Sequence, residues 1–384
     1  MFQVAVYGAN ALSSVIRHHI EHEYNRLSLQ AGGESLKVIA YFNMPYSEER
    51  MQEDLPVLEF MQMRALYEKG VINGIIVPRE HFIGQTNIIS FMAFNGIDIR
   101  DVYLTERIDG KKAGEEFWHA FLSSYLSSKY LPYLEFHIAD HCNMNCKACE
   151  HYSGLVTIPR YPNLEKFIND ISKLHDFISD IGQIRILGGE PLLNPEIDAY
   201  LKLTRALYPK AVISVVTNAI LLRKMPEHFF ETMKETMAKF DISFYPPLKE
   251  KMPEIVSFLK SKGVPGSVSP LMEKFELKQT LKKSPNPDYF YRCFQAHCHN
   301  LYDGKIAACF LPFTTKYFNE YFDKHLPEDG AIDLYEPNLT TEIMKERMMQ
   351  PFERCCYCKD PVAVDWDRIK MPSVLSDWII EEKS

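Results

Sequence analysis

Cys142, Cys146 and Cys149 lie in the run Asp140-His-Cys-Asn-Met-Asn-Cys-Lys-Ala-Cys-Glu150, directly after an apolar, strand-like segment. The C-x3-C-x2-C spacing offers three thiolates to an iron–sulfur cube whose four irons each need a ligand, which leaves one iron open to something other than protein. The competing reading is a structural zinc site, whose usual signal is paired C-x2-C units. About forty residues on, Ile184-Arg-Ile-Leu-Gly188-Gly189-Glu190-Pro191-Leu192 carries a short apolar strand into two glycines and an acid. Glycines let backbone approach a ligand closely, and the exposed carbonyls and carboxylate can accept bonds from a cationic amine.

These two runs, in this order and at this separation, resemble the radical S-adenosylmethionine (SAM) superfamily. The resemblance implies that Cys142, Cys146 and Cys149 hold a [4Fe–4S] cluster whose open iron chelates the amino and carboxylate groups of SAM. An electron from that cluster then splits the sulfonium and releases a 5'-deoxyadenosyl radical. Gly188, Gly189, Glu190 and Pro191 are implied to hold the SAM amino group. Thr217, Asn218 and Ser243 fall at later strand ends, where family members often contact the SAM ribose or carboxylate. Turn chemistry is the alternative account of those three, since Asn and Ser commonly close strands.

The remaining six cysteines are Cys293, Cys298, Cys309, Cys355, Cys356 and Cys358. Cys293, Gly304, Cys309 and the Cys355-x2-Cys358 pair resemble the twitch extension of certain radical SAM enzymes, where four cysteines hold an auxiliary [4Fe–4S] cluster. A hairpin turn at Gly304 folds two thiolates toward one point, and the C-x2-C unit closes the cage. Zinc is the rival occupant, because both metals accept tetrahedral thiolate sets. Cys298 and Cys356 are left over. Spare cysteines usually pack as small hydrophobes; the sharper role is hydrogen-atom donation to a substrate radical, and either could replace a neighbour as a cluster ligand.

The elements that must position these groups follow from periodicity. Residues 1–108 alternate strand and helix: Phe2–Tyr7, Leu36–Phe42, Gly74–Val77 and Asp101–Thr105 as strands, Ala11–Leu29, Leu55–Glu68 and Asn87–Asn95 as helices. That order predicts a small Rossmann-like parallel sheet covered on both faces. A helical connector is expected over 109–132, from Gly114 to Lys129. A second α/β pattern fills 133–288, with Leu134, Phe136 and Ile138 alternating on its first strand and Asn163 capping a helix whose apolar face includes Phe167, Ile171 and Leu174. Repeated βα units with functional groups at strand C-termini fit a partial (β/α)6 barrel, the fold of the resembled family. The resemblance implies a twitch-like domain and tail over 289–384.

Gly8-Ala-Asn10-Ala-Leu-Ser13 at the first strand-to-helix turn looks like a worn dinucleotide fingerprint. Asn10 stands where a glycine would admit a pyrophosphate, and Phe42-Asn43-Met44 offers no acid for a ribose, so nicotinamide binding is not expected. The worn Rossmann-like shape resembles N-terminal modules of sugar-modifying enzymes, where it serves nucleotide-sugar binding or docking. The helix N-terminus after Gly8 would still favour an anion.

A chain of 384 residues, 46% of them hydrophobic, can bury sizeable cores. Its net charge of −8 gives no footprint for nucleic acid or an anionic membrane. No spanning run or signal peptide is expected, and nine cysteines without export signals read as metal ligands in a reducing cytoplasm. The resemblance implies SAM and two [4Fe–4S] clusters as cofactors and an electron donor such as flavodoxin or ferredoxin. The expected activity is a radical SAM oxidation of a small molecule, a sugar or nucleotide sugar. An epimerase or dehydratase, a peptide-modifying maturase and a non-catalytic iron–sulfur protein are the alternatives. Removal of the substrate proton needs a base, for which His151 is the first candidate; His141, Tyr152 and Arg185 are others near the barrel rim.

Overall fold

A computed structural model of the chain describes residues 1–30, 32–43, 54–78, 88–112 and 115–381. The chain divides into two compact units, Met1–Ser128 and Lys129–Ser384.

In the first unit β1 (Phe2–Tyr7) leads to α1 (Ala11–His19), which continues through a wider π-helical turn into α2 (Asn25–Gln30). Then follow β2 (Leu36–Asn43), β3 (Val57–Glu59), α3 (Phe60–Glu68), β4 (Gly74–Pro78), α4 (Ile88–Phe94), β5 (Val102–Lys112) and β6 (Glu115–Ser124). The sheet order is β3-β2-β1-β4-β5-β6. All pairs are parallel except β5 with β6, so the first five strands have the doubly wound order expected of a Rossmann-like sheet.

Two expectations are corrected here. Residues 57–59 begin as strand β3 rather than helix. Pro56 biases Leu55 toward extended backbone, and Glu59 N–H donates to Gln62 Oε1 at 3.0 Å, fixing the helix start at Phe60. The segment expected as a helical connector forms β6, paired residue for residue from Tyr103–Ser124 to Lys112–Glu115. Its aromatic-rich sequence, Phe117-Trp118 with Phe121, favours a strand, and pairing covers the edge that β5 would otherwise leave bare. Asn87, Met44 and Gly114 lie outside the described residues.

In the second unit β7 (Tyr130–Ala139), β8 (Asp180–Gly188), β9 (Val212–Thr217), β10 (Lys239–Ile242) and β11 (Gly266–Val268) alternate with α5 (Leu164–Phe177), α6 (Ile197–Leu207), α7 (Glu227–Glu235) and α8 (Met252–Lys262). After β12 (Lys274–Gln279) come the hairpin β13 (Asn300–Tyr302) and β14 (Lys305–Ala307), then α9 (Leu311–Phe322), β15 (Ala331–Asp333), α10 (Thr341–Met348) and β16 (Cys358–Asp365). The main sheet runs β11-β10-β9-β8-β7-β13-β14-β15, while β12 pairs antiparallel with β16. Strands β7 to β11 are mutually parallel, and β13 joins parallel on the far side of β7. This is the partial βα barrel expected from the sequence.

Strand parity sorts the side chains. Leu134, Phe136 and Ile138 of β7, Ile184 and Ile186 of β8, Ile213 and Val215 of β9, and Phe240 and Ile242 of β10 share one core with Phe167, Ile171 and Leu174 of α5 and Tyr200 of α6. Asn163 Oδ1 caps α5 by accepting from Lys166 N–H at 2.8 Å, as its position suggested. The alternate positions form a polar row on the other face. Glu135 stands beside Arg185, Arg185 beside Ser214, and Ser214 beside Lys239.

Candidate active site

The loop that leaves β7 carries the three cysteines. Asn145, Ala148 and Tyr152 are left-handed, at φ of 54°, 57° and 56°. Non-glycine residues adopt that region only where the surroundings hold them there. All three thiols are free. Cys146 is buried, and Cys142 and Cys149 pack against the same core. Burial first, then the charge of Glu190, pushes the Cys142 thiol up to about 12; burial raises Cys146 and Cys149 as well. Such thiols keep their protons until a metal displaces them. Among the described residues no group of three or more His, Cys, Asp and Glu is placed to hold a metal ion; the thiolates of a cube cap separate irons and need not converge on one point.

The Gly-Gly-Glu-Pro turn is built against this loop. Gly189 N–H donates to the Ala139 carbonyl at 2.7 Å, and Glu190 N–H to the His141 carbonyl at 3.1 Å. A Cβ on Gly188, whose φ is +146°, would stand 2.1 Å from the Ala139 oxygen, and one on Gly189 would stand 2.2 Å from the His141 oxygen. Only glycine allows the turn to lie this close to the cysteine loop. Glu190 is fully buried. Its carboxylate accepts from Thr217 Oγ1 (2.7 Å), Leu192 N–H (3.1 Å) and Asn218 N–H (2.9 Å). Burial outweighs those donors and raises the carboxyl to about 7. Asn218 reaches back through Nδ2 to Asn143 Oδ1 at 2.7 Å, with Cys142 Sγ at 3.7 Å. Ser243 N–H donates to the Thr217 carbonyl at 2.9 Å. Pro191 opens the short turn after Glu190. The structure thus joins Gly188, Gly189, Glu190, Thr217, Asn218 and the cysteine loop into one region at the strand C-termini. A triad of free thiols beside a buried carboxylate matches the donor set of a thiolate-bound cluster with an amine-bearing ligand.

A second thiol set lines a small cavity of about 20 Å³, in which Cys293, Cys309, Cys355 and Cys358 appear together with Glu150, Lys278 and Gln295. The hairpin expected at Gly304 is present, with Asp303 and Gly304 at φ of 50° and 77°. Lys278 is buried, and its ammonium lies 2.9 Å from Glu150 and 3.2 Å from Glu276. Burial raises all four thiols, Cys358 to about 11 and Cys355 to about 12. Glu150 follows Cys149 directly, and Cys149, Cys309 and Cys358 belong to one packed cluster, so the two thiol sets adjoin. Neither Cys298 nor Cys356 lines this cavity.

Cys298 instead lies among the polar groups of the barrel interior, where burial and Glu135 raise its thiol. There Arg185 Nη1 donates to the Tyr133 hydroxyl at 3.2 Å and lies 3.8 Å from Glu135, while its Nε is 3.6 Å from Asp241. His151 packs edge-to-face on His137 and Phe310, with centroids 4.8 and 4.4 Å apart. Burial, helped by His137 and Arg185, holds its imidazole neutral, and its Nε2 is buried without a hydrogen-bond partner. Cys356 is buried, its carbonyl accepting from Ser284 N–H at 2.8 Å. Tyr152 is buried against Phe318 and Trp378, and the His141 ring contacts Arg160 and Tyr161.

Sequence reasoning missed several of these groups. Glu135, which pairs across the sheet with the rim candidate Arg185, could have been read from its parity between Leu134 and Phe136. Lys278 and Trp366 carry no local signal, because Lys278 meets Glu150 and Trp366 meets Cys146 from far along the chain, whereas Gln295 lies two positions from Cys293, whose thiol it meets at 3.5 Å. In the first unit Asn10 caps α1 by accepting from Ser13 N–H at 3.2 Å, and Ser13 Oγ donates to the Tyr7 carbonyl at 3.0 Å. Those two departures from the glycine fingerprint are therefore filled by capping and packing.

Residues 136–250 match the family model described as the radical SAM superfamily. GTP 3',8-cyclase of Clostridium botulinum (strain Okra / Type B1) is 33% identical over 116 residues, 29% of this chain and 34% of the relative. The same enzyme of Sulfurovum sp. (strain NBC37-1) is 28% identical over 138 residues, covering 35% and 40%. The matches thus span about a third of the length of these curated relatives. Among solved structures, BtrN in complex with AdoMet and 2-DOIA is 15% identical, with a TM-score of 0.36 over 59% of this chain and 91% of that chain. Native anSMEcpe with bound AdoMet and Cp18Cys peptide is 16% identical, with a TM-score of 0.29 over 35% and 42%. A βα barrel whose first strand delivers the cysteine triad defines the class, and the segment that builds it, residues 136–250, is similar to the radical SAM superfamily. SAM and one [4Fe–4S] cluster are the cofactors that go with such a domain. Among the described residues no helix is long and apolar enough to cross a membrane.

Proposed function

We propose that the protein is a radical SAM oxidoreductase that dehydrogenates a carbon of a sugar or nucleotide sugar. The observation that carries the reading is the second thiol set, with Cys293, Cys309, Cys355 and Cys358 on one cavity next to Glu150. Cys142, Cys146 and Cys149 would hold the cluster that, with SAM, would supply a hydrogen-abstracting 5'-deoxyadenosyl radical, and Cys293, Cys309, Cys355 and Cys358 would hold an auxiliary [4Fe–4S] cluster that would supply an electron acceptor.

The chain's own residues would divide the work by position. Gly188, Gly189 and Glu190 orient the SAM ammonium, while Thr217 and Asn218 hold Glu190 and the cysteine loop in register. Ser243 sits at the next strand end. Glu135, Arg185, Ser214 and Asp241 present donors and acceptors that suit a hydroxyl-rich ligand, and Ser214 Oγ is buried without a partner. His151, kept neutral and with Nε2 unbonded, is the residue this reading assigns to receive the substrate proton. An electron donor such as flavodoxin or ferredoxin would reduce the first cluster.

Cys298 favours a second reading. Glu135 and Arg185 both act on its buried thiol, which does not line the four-thiol cavity; on this reading the thiol would return a hydrogen atom to a substrate radical and give epimerisation. Reaction with nucleotide sugars in deuterated water separates the two. Oxidation yields a product two hydrogens lighter; epimerisation yields deuterium at carbon with no such loss. A turnover that modifies only peptides refutes both.

A further inference from the structure

Trp366 and the segment behind it have no part in the roles above. Trp366 Nε1–H donates to Cys146 Sγ at 3.3 Å. Its ring stacks on Tyr245, with centroids 6.3 Å apart and 20° between the planes. The neighbours of Trp366 bind the rest of the loop. Lys147 N–H donates to the Asp367 carbonyl at 2.8 Å, Ile369 N–H to the Asn145 carbonyl at 2.9 Å, and Ala148 N–H to the Asp377 carbonyl at 2.8 Å. Arg368 bridges Cys146 through its backbone, and its Nη2 lies 3.5 Å from Met144 Sδ. Each residue from Met144 to Ala148 therefore has a partner between positions 366 and 377. β16 connects this brace to Cys358, at the start of the same strand.

An N–H bond to a ligating sulfur draws electron density off the metal and favours the reduced cluster, one of the means by which a protein sets the potential. We propose that Trp366 is a positioning residue for the first cluster: its bond to Cys146 raises the reduction potential, and the segment carrying it braces the cysteine loop. This rests on Cys146 being a ligand of that cluster.

The test is anaerobic EPR-monitored potentiometry of the reconstituted full chain, reading the signal that changes on adding SAM. Trp366→Phe keeps the ring and its stack on Tyr245 but deletes the donor; Trp366→His keeps a ring N–H. The expected result is a more negative midpoint for the Phe variant and one nearer wild type for the His variant. An unchanged midpoint in a Phe variant with full cluster content overturns the proposal. If the Phe variant folds, by circular dichroism, yet loses the SAM-responsive signal, retention in the His variant supports the donor role and loss in both overturns it. A wild-type chain without any SAM-responsive signal fails the radical SAM reading itself, before Trp366 is in question.

Discussion

Replacing Glu190 by Gln should change how SAM affinity depends on pH. The Glu190 carboxyl is held at about 7 by burial, against the pull of Thr217, Asn218 and Leu192. Keeping it ionised at neutral pH costs about 3 kcal/mol relative to a solvated carboxylate. A cationic amine binds the ionised form, so affinity rises with pH through this range. With the carboxyl at about 7, roughly a tenth is ionised at pH 6 and about nine tenths at pH 8, which makes the apparent affinity about tenfold tighter at the higher pH. Loss of a charged acceptor should weaken binding by about 1.5–3 kcal/mol, or roughly 10- to 150-fold at pH 8. Anaerobic equilibrium dialysis with labelled SAM measures both quantities, and thermal unfolding checks that the variant is folded. The amine of SAM titrates identically against both proteins, so the ratio of their affinities isolates the carboxylate. An identical pH slope for wild type and Glu190→Gln would refute the assignment.

Gly189→Ala should separate the SAM turn from the cysteine loop, because its Cβ would stand 2.2 Å from the His141 oxygen. We expect a stability loss of about 1–3 kcal/mol with at least tenfold weaker SAM binding, read by thermal unfolding and dialysis; wild-type affinity would contradict the close approach. Cys309→Ser should lower iron from about eight to about four atoms per chain while leaving the SAM-responsive EPR signal in place; unchanged iron would contradict a second cluster. Lys345 in α10 is 1% exposed, and burial holds its ammonium down at about 7. Above pH 7 the folded chain sheds this proton while the unfolded chain keeps it to the usual lysine range, so this residue makes stability rise with pH across that window. Lys345→Met should accordingly stabilise by up to about 4 kcal/mol more at pH 6 than at pH 10 in urea titrations. Equal effects at both pH values would contradict a buried, neutral lysine.

Local chemistry was the readable part of this chain. The cysteine triad and the Gly-Gly-Glu-Pro turn were legible because each occupies one short run, and β7 and α5 because Leu134, Phe136, Ile138 and Asn163 obey simple periodicities. The pairs that unite the site were not legible. Asn218 with Asn143, Trp366 with Cys146 and Lys278 with Glu150 are contacts over 75, 220 and 128 positions, set by sheet order rather than by neighbours in sequence. The connector over 109–132 misled for a related reason: whether an aromatic-rich stretch becomes helix or strand depends on the partner strand, and β5 supplies that partner.

The most direct measurement is 5'-deoxyadenosine formed by the anaerobically reconstituted chain with dithionite and SAM. Formation by wild type and its absence in a Cys142→Ala variant is the result expected if the triad holds a cluster with one open iron. Zinc or a fully protein-capped centre at the triad, with no 5'-deoxyadenosine above the variant's background, would contradict it.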